Sequence, residues 1–185
     1  MINCDRINVV PFEMKYLSHY FNGFNTEITK FQWPDPFESI EDARSVLQEF
    51  LNEMDSDETL FFSILSKNDD FLGSVEIHGL VGDCPELGIW IIESEQNKGY
   101  AYEALNAVLD YVCSKYDKAE FYFEADNRNT GSIKLLRKFE EKYEIIEDGF
   151  ESLTTASGKI LELQGYILKA KFKETALSKF EGKNT

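Results

Sequence analysis

Apolar positions recur at helical spacing in four stretches of the chain and at strand spacing between them. The clearest helix covers residues 39–54: Ile40, Ala43, Val46, Leu47, Phe50, Leu51 and Met54 share one face. Ser39, with Asp42 three residues on, has the pattern of an N-cap. A helix is expected from about 13 to 24, burying Met14, Leu17, Tyr20 and Phe21 or Phe24. Another is expected from about 99, with Ala101, Ala104, Leu105, Val108, Leu109 and Val112 as its stripe, and a fourth over about 130–139. Strands are read at 2–10, 59–66, 71–78, 86–92, 120–125, 143–147 and 159–168, the second and third joined as a hairpin about Lys67-Asn68-Asp69-Asp70. Pro34 and Pro36 keep 25–37 out of regular helix. Strands and helices do not alternate strictly, so the pattern predicts an α+β fold around a mixed sheet and speaks against a doubly wound one.

Composition narrows the function more than the fold. With 185 residues, 43% hydrophobic and 14% aromatic, one domain over 1–171 is expected, followed by a polar tail at 172–185. Asn3, Asp5, Arg6 and Asn8 interrupt the first apolar run, so neither a leader nor a membrane span is expected, and the location implied is cytoplasmic. Cys4, Cys84 and Cys113 are odd in number and widely spaced, which suits reduced thiols and no metal site. A net charge of −15 argues against nucleic-acid partners. The charge is uneven: residues 35–70 hold eleven acids against Arg44 and Lys67, whereas Arg128, Lys134, Arg137 and Lys138 stand without an acid in 127–139. Either both stretches are solvated helix faces, or they mark a cation-attracting side and an anion-tolerant side. No dinucleotide-binding or P-loop glycine motif occurs.

The segment most suggestive of chemistry is Gln96-Asn97-Lys98-Gly99-Tyr100-Ala101, between a strand pattern and a helix pattern. The first turn of that helix leaves N–H groups without intrahelical acceptors at the positive end of its dipole, a site suited to a phosphate or diphosphate. A side-chain-free Gly99 and a small Ala101 would admit the ligand closely.

These six residues resemble the cofactor loop of the GNAT superfamily of acyl-CoA-dependent N-acyltransferases: Gln or Arg, two variable residues, Gly, one variable residue, then Gly or Ala. Asn129-Thr130-Gly131-Ser132, followed by Leu135, Leu136, Lys138 and Phe139, resembles the second cofactor helix. Residues 28–34 and 39–43 are similar to the branch that contains ribosomal-protein N-terminal acetyltransferases and antibiotic-modifying enzymes. The resemblance implies a mostly antiparallel sheet of about six to seven strands flanked by about four helices. It implies acetyl-CoA as co-substrate and direct attack by a primary amine in a ternary complex, without a metal. Cofactor contacts would fall at Ile91, Ile92, Gln96, Asn97, Lys98, Gly99, Tyr100, Ala101, Tyr102, Asn129 and Ser132, with a backbone N–H of Ile91 or Ile92 as oxyanion donor.

Glu86 is the first candidate base, with Glu76 and His78 competing. The position that in many relatives carries a tyrosine acid holds Leu136, which leaves Ser132, a water or no dedicated acid. Phe31, Trp33 and Phe37 are the candidate acceptor contacts, in a monomer or a homodimer. The acceptor is expected to be cationic, as a protein N-terminus, a polyamine or an aminoglycoside is. A non-catalytic acyl-CoA-binding module is the alternative.

Overall fold

Strands form where β-branched and aromatic residues cluster between turns, and the longest helices form where the 3.6-residue stripe is least interrupted. The structure, a computed structural model, describes residues 1–171; the expected polar tail lies outside the described residues. In chain order it contains β1 (Ile2–Asn3), β2 (Ile7–Pro11), α1 (Leu17–Gly23), α2 (Ile40–Asp55), β3 (Thr59–Ser66), β4 (Phe71–His78) and β5 (Glu86–Ile91). There follow α3 (Tyr100–Tyr116), β6 (Glu120–Asp126), α4 (Thr130–Arg137), β7 (Tyr143–Thr154) and β8 (Ile160–Ala170). The eight strands make one sheet in the order β1-β2-β3-β4-β5-β6-β8-β7. Every neighbouring pair is antiparallel except β5 and β6.

The expected α+β class and helix count hold. The strand count is one higher than expected because 2–10 does not run straight: it turns at Cys4–Arg6, where Cys4 N–H donates to Ile7 O at 3.1 Å, and pairs with itself. Ser39 caps α2 as expected, accepting from Asp42 N–H at 3.1 Å. The β7–β8 hairpin is much longer than its apolar pattern indicates. β7 is an edge strand, exposed along most of its length, and its register shifts between Glu147 and Phe150, so no alternating pattern marks its second half.

The sheet carries a core on each face. Leu105, Val108 and Leu109 of α3 and Leu136 of α4 pack with Phe121, Phe123 and Leu168 on one side. On the other, Leu17 and Tyr20 of α1 and Ala43 and Leu47 of α2 pack with Phe61 and Trp90. No helix among the described residues is long and apolar enough to cross a membrane.

The one parallel pair determines where the molecule opens. β5 and β6 are in register only at Glu86 with Tyr122 and Leu87 with Phe123. Beyond these pairs β5 continues to Ile91 bonded only to β4, and β6 to Asp126 bonded only to β8. Two strands in the middle of one sheet thus diverge, and a cleft of about 550 Å³ lies at their open ends.

Candidate active site

The cleft is walled by Ile89–Ile91 of β5, Gln96, Asn97 and Gly99–Tyr102 of the loop and first turn, Arg128–Ser132 with Lys134, Leu135 and Lys138, and part of the 27–32 loop including Phe31; Lys98 and Ile92 do not line it. Its size suits an elongated small-molecule ligand. The loop that leads into α3 holds its shape by backbone conformation: Asn97 and Gly99 are left-handed, with φ of 61° and 87°. Asn tolerates that region and Gly prefers it. Gln96 anchors the loop to the end of β5, its Nε2 donating to Ile91 O at 3.0 Å. The first N–H that α3 satisfies internally is that of Glu103, on Gly99 O at 3.1 Å. The N–H groups of Tyr100, Ala101 and Tyr102 precede it and have no acceptor within the helix. The side chain of Lys98 turns to Glu95 at 2.8 Å, and the Tyr102 ring packs on Phe139, with Lys138 5.5 Å from its centroid.

Gly99 lines the cleft, and a Cβ there would also lie 3.2 Å from Arg6 Nη2. The position thus carries two further demands, the left-handed backbone and the space left for Arg6. Gly99→Val is therefore expected to disorder the loop and remove any stabilisation by CoA, which a thermal shift titration would detect. A wild-type-sized shift in that variant would show that the loop does not need this conformation.

Across the cleft, Asn129 caps α4 by accepting from Ser132 N–H at 3.1 Å. The bend before it hangs on Asp126, whose carboxylate is fully buried. Asp126 accepts from Arg128 N–H (2.9 Å), Arg128 Nε (2.8 Å), Arg128 Nη2 (2.6 Å) and Glu162 N–H (2.8 Å). Burial alone would raise its pKa, but the guanidinium and the two backbone donors hold it at about 2. Arg128 in turn lies 5.4 Å from the Phe31 ring centroid. The loop containing Phe31 is latched to the β7–β8 turn: Lys159 Nζ donates to Thr29 O (2.7 Å) and Gln32 O (2.8 Å) and pairs with Asp35 at 3.1 Å.

Of the expected acceptor aromatics, only Phe31 lines the cleft. Trp33 is 65% exposed and lies outside it. Phe37 packs between Tyr20 and Phe24, at 6.3 and 5.9 Å, as part of the α1–α2 core. Proximity along a proline-rich loop thus does not place all three in this cleft.

At the closed end of the wedge the candidate bases separate. Glu86 is exposed at the start of β5, paired on both sides. Glu76 faces Gly88, the first β5 residue past the parallel pairing; a Cβ on Gly88 would lie 3.2 Å from Glu76 Oε2. Glu76 Oε1 accepts from Ser74 Oγ at 2.6 Å and Tyr20 O–H at 3.2 Å, while Oε2 lies 3.7 Å from His78 Nε2. Burial would lower the pKa of His78, but the contact with Glu76, with Glu86 and Glu53 nearby, raises it overall. A raised folded-state pKa contributes stability that is full below the unfolded value near 6.5 and is lost as pH rises through the folded value. Melting curves of wild type and His78→Gln should accordingly differ more at pH 5.5 than at pH 8.5. A constant difference would mean that the imidazolium is not stabilised by Glu76.

The oxyanion-donor candidates also separate. Ile92 N–H donates to Leu72 O at 2.8 Å and is therefore already engaged. Ile91 is the partner of Gly73, and the alternation of an antiparallel ladder turns its N–H away from β4, into the wedge. Leu136 is 2% exposed in the core, so no side-chain acid can stand at that position.

A model of the acetyltransferase (GNAT) domain matches residues 6–140, which span both walls of this cleft. The chain belongs to the GNAT family of acetyltransferases. Members transfer an acetyl group to an amine, and the chain is accordingly an N-acetyltransferase. An uncharacterized N-acetyltransferase of Bacillus licheniformis, p20, is 23% identical over 146 residues, 77% of this chain and 80% of that protein. Among solved structures, spermidine N-acetyltransferase from Vibrio cholerae, in complex with CoA and spermine, has a TM-score of 0.74 at 18% identity over 89% of this chain and 96% of that one. RimJ from Mycobacterium smegmatis, in complex with CoA-disulfide, has a TM-score of 0.76 at 15% identity, over 91% and 84%. These structural likenesses establish the GNAT fold.

Proposed function

We propose that this GNAT domain, residues 1–171, uses acetyl-CoA to acetylate a cationic primary amine in a ternary complex. The observation that carries the reading is the wedge between β5 and β6, with Ile91 N–H aimed into it and the unsatisfied first turn of α3 on its wall. The residues present suit an extended diphosphate thioester. Tyr100, Ala101 and Tyr102 offer N–H donors at a helix N-terminus, Arg128, Lys134 and Lys138 supply positive charge, and Ile89 and Leu135 supply apolar wall.

Bound there, acetyl-CoA supplies the activated acyl group. Ile91 N–H then stabilises negative charge developing on the carbonyl oxygen. Glu76 takes a proton from the acceptor ammonium and frees the lone pair that attacks the thioester carbon, with Ser74, Tyr20 and His78 fixing the carboxylate's orientation. The C–N bond forms as the C–S bond breaks, and the nitrogen's second proton leaves to solvent. Ser132, in the cleft wall near the start of α4, or a water, returns a proton to the leaving thiolate.

A cationic acceptor is supported by a different set of acids from the one the charge pattern singled out. Many acids of 35–70 are engaged locally: Asp35 with Lys159, Asp42 with Ser39, Glu53 with Thr59, Asp70 with Ser66. On the sheet, the strand alternation and register put Glu76, Glu86 and Glu124 on one face beside the wedge. Glu124 is raised in pKa first by burial and then by Glu86 and Glu151; Tyr122, which donates to it at 3.1 Å, is pushed up to about 12. An ammonium would relieve that crowding of negative charge.

Acetyl-CoA at about 100 times its dissociation constant should add about 2.7 kcal/mol of stability, visible as a rise in melting temperature. No rise at millimolar acetyl-CoA, from folded protein, would refute the donor assignment. The core position of Leu136 also favours a second reading, a non-catalytic acyl-CoA-binding module; thermal stabilisation without amine-dependent thiol release would select it.

A further inference from the structure

We propose that Arg6 is a positioning residue for the donor, holding the α3 N-terminal loop in its anion-binding shape; this rests on the reading that the first turn of α3 takes the diphosphate. Arg6 projects from the β1–β2 turn, some ninety residues away in sequence from the loop it touches. That turn is itself fastened from the other side, because Lys67 Nζ donates to Cys4 O at 2.6 Å and Asn8 Oδ1 at 2.8 Å. From this platform Arg6 makes five contacts with the loop and helix. Its backbone N–H donates to Glu103 Oε1 at 2.7 Å, and its Nε and Nη2 each lie 2.8 Å from Glu103 Oε2. Its Nη1 donates to Lys98 O at 2.7 Å, and its guanidinium carbon is 5.1 Å from the Tyr100 ring centroid.

Two consequences follow for an anion at the adjacent N–H groups. Lys98 O, a carbonyl one residue before the helix cap, is directed onto Arg6. Glu103 is a carboxylate in the first turn of α3, where its charge would oppose a bound diphosphate. The guanidinium offsets that charge and, with a planar fork of donors, serves Glu103 and Lys98 O together. The left-handed Gly99 completes the arrangement, since a Cβ there would press on Nη2 at 3.2 Å. Arg6, Lys98 and Glu103 do not line the cleft, so Arg6 reaches the donor only through the loop whose N–H groups would hold the diphosphate, and the effect should be confined to that half of the donor.

The test compares two donors in the full-length protein: acetyl-CoA, and S-acetylpantetheine, which has the thioester but no diphosphate. A wild type that prefers acetyl-CoA supports the parent reading; one that treats both donors alike refutes it. Arg6→Ala should lower the ratio of kcat/KM for acetyl-CoA to kcat/KM for S-acetylpantetheine by about tenfold, through KM, with kcat at saturating acetyl-CoA close to wild type. A merely structural role would lower both donors alike and leave the ratio unchanged. Should Arg6→Ala not fold, Arg6→Lys keeps the charge but not the fork, and should lower the ratio by about threefold. An unchanged ratio in the folded variant, with a wild type that prefers acetyl-CoA, would overturn the assignment of Arg6 alone.

Discussion

Glu76→Gln should lower kcat by about 10²-fold or more, with acetyl-CoA affinity unchanged, whereas Glu86→Gln should stay within about threefold of wild type. Gln preserves the size of Glu76 and can still accept from Ser74 Oγ and Tyr20 O–H, so the loss would report proton removal and not packing. The expectation inverts the order of candidates that the sequence suggests. A carboxylate at the head of the central strand looked well placed, but Glu86 is exposed where β5 is still paired on both sides, and Glu76 faces the residue at which the wedge opens. Steady-state kinetics on the two variants decide between them. Comparable losses, or a larger loss in Glu86→Gln, would move the base to Glu86.

The largest effect on stability is expected at a residue with no part in the chemistry. Asp126→Asn replaces one carboxylate oxygen by a donor that must face Arg128 or Glu162 N–H, while the guanidinium loses its counter-charge. Breaking a buried pair costs about 3–5 kcal/mol; because Arg128 is half exposed, about 3 kcal/mol is expected. For a chain of this size the melting temperature should fall by roughly 6–12 °C. The linkage has a definite sign. A depressed carboxylate pKa contributes stability above the unfolded value near 3.9, and that contribution is lost as pH falls toward about 2. The gap between wild type and Asp126→Asn should therefore narrow only in strong acid. A variant as stable as wild type at pH 7 would mean that the bend before α4 is held by other contacts.

Sequence patterns revealed most of the scaffold because the helices bury one face, which imprints a period on the chain, while β3 and β4 are buried on both faces, which leaves apolar runs bounded by a polar turn. The stripe of α3 and the hairpin of β3 and β4 were readable for those reasons. The second half of β7 was not, because an exposed edge strand imposes no such period. The cofactor loop was legible from its glycine and the strand and helix around it. The room that Gly99 leaves for Arg6 was not, since Arg6, which a Cβ there would meet, lies far earlier in the chain. The acceptor side was the least legible. Trp33 and Phe37 are neighbours of Phe31 along the chain, yet one faces solvent and the other the core. Arg6 carried no local signal, because its partners Glu103 and Lys98 are distant in sequence, and the pairing of Asp126 with Arg128 two residues on gave no sign that Glu162 N–H completes it.

The account stands most directly on whether the cleft performs acyl transfer. The deciding measurement is release of free CoA thiol by purified protein with acetyl-CoA, across a panel of cationic, neutral and anionic primary amines. The account predicts release that depends on the amine, is greatest for a cationic acceptor and loses specificity constant as ionic strength rises. Thiol release no faster with any amine than without one, from protein that acetyl-CoA stabilises, would contradict it.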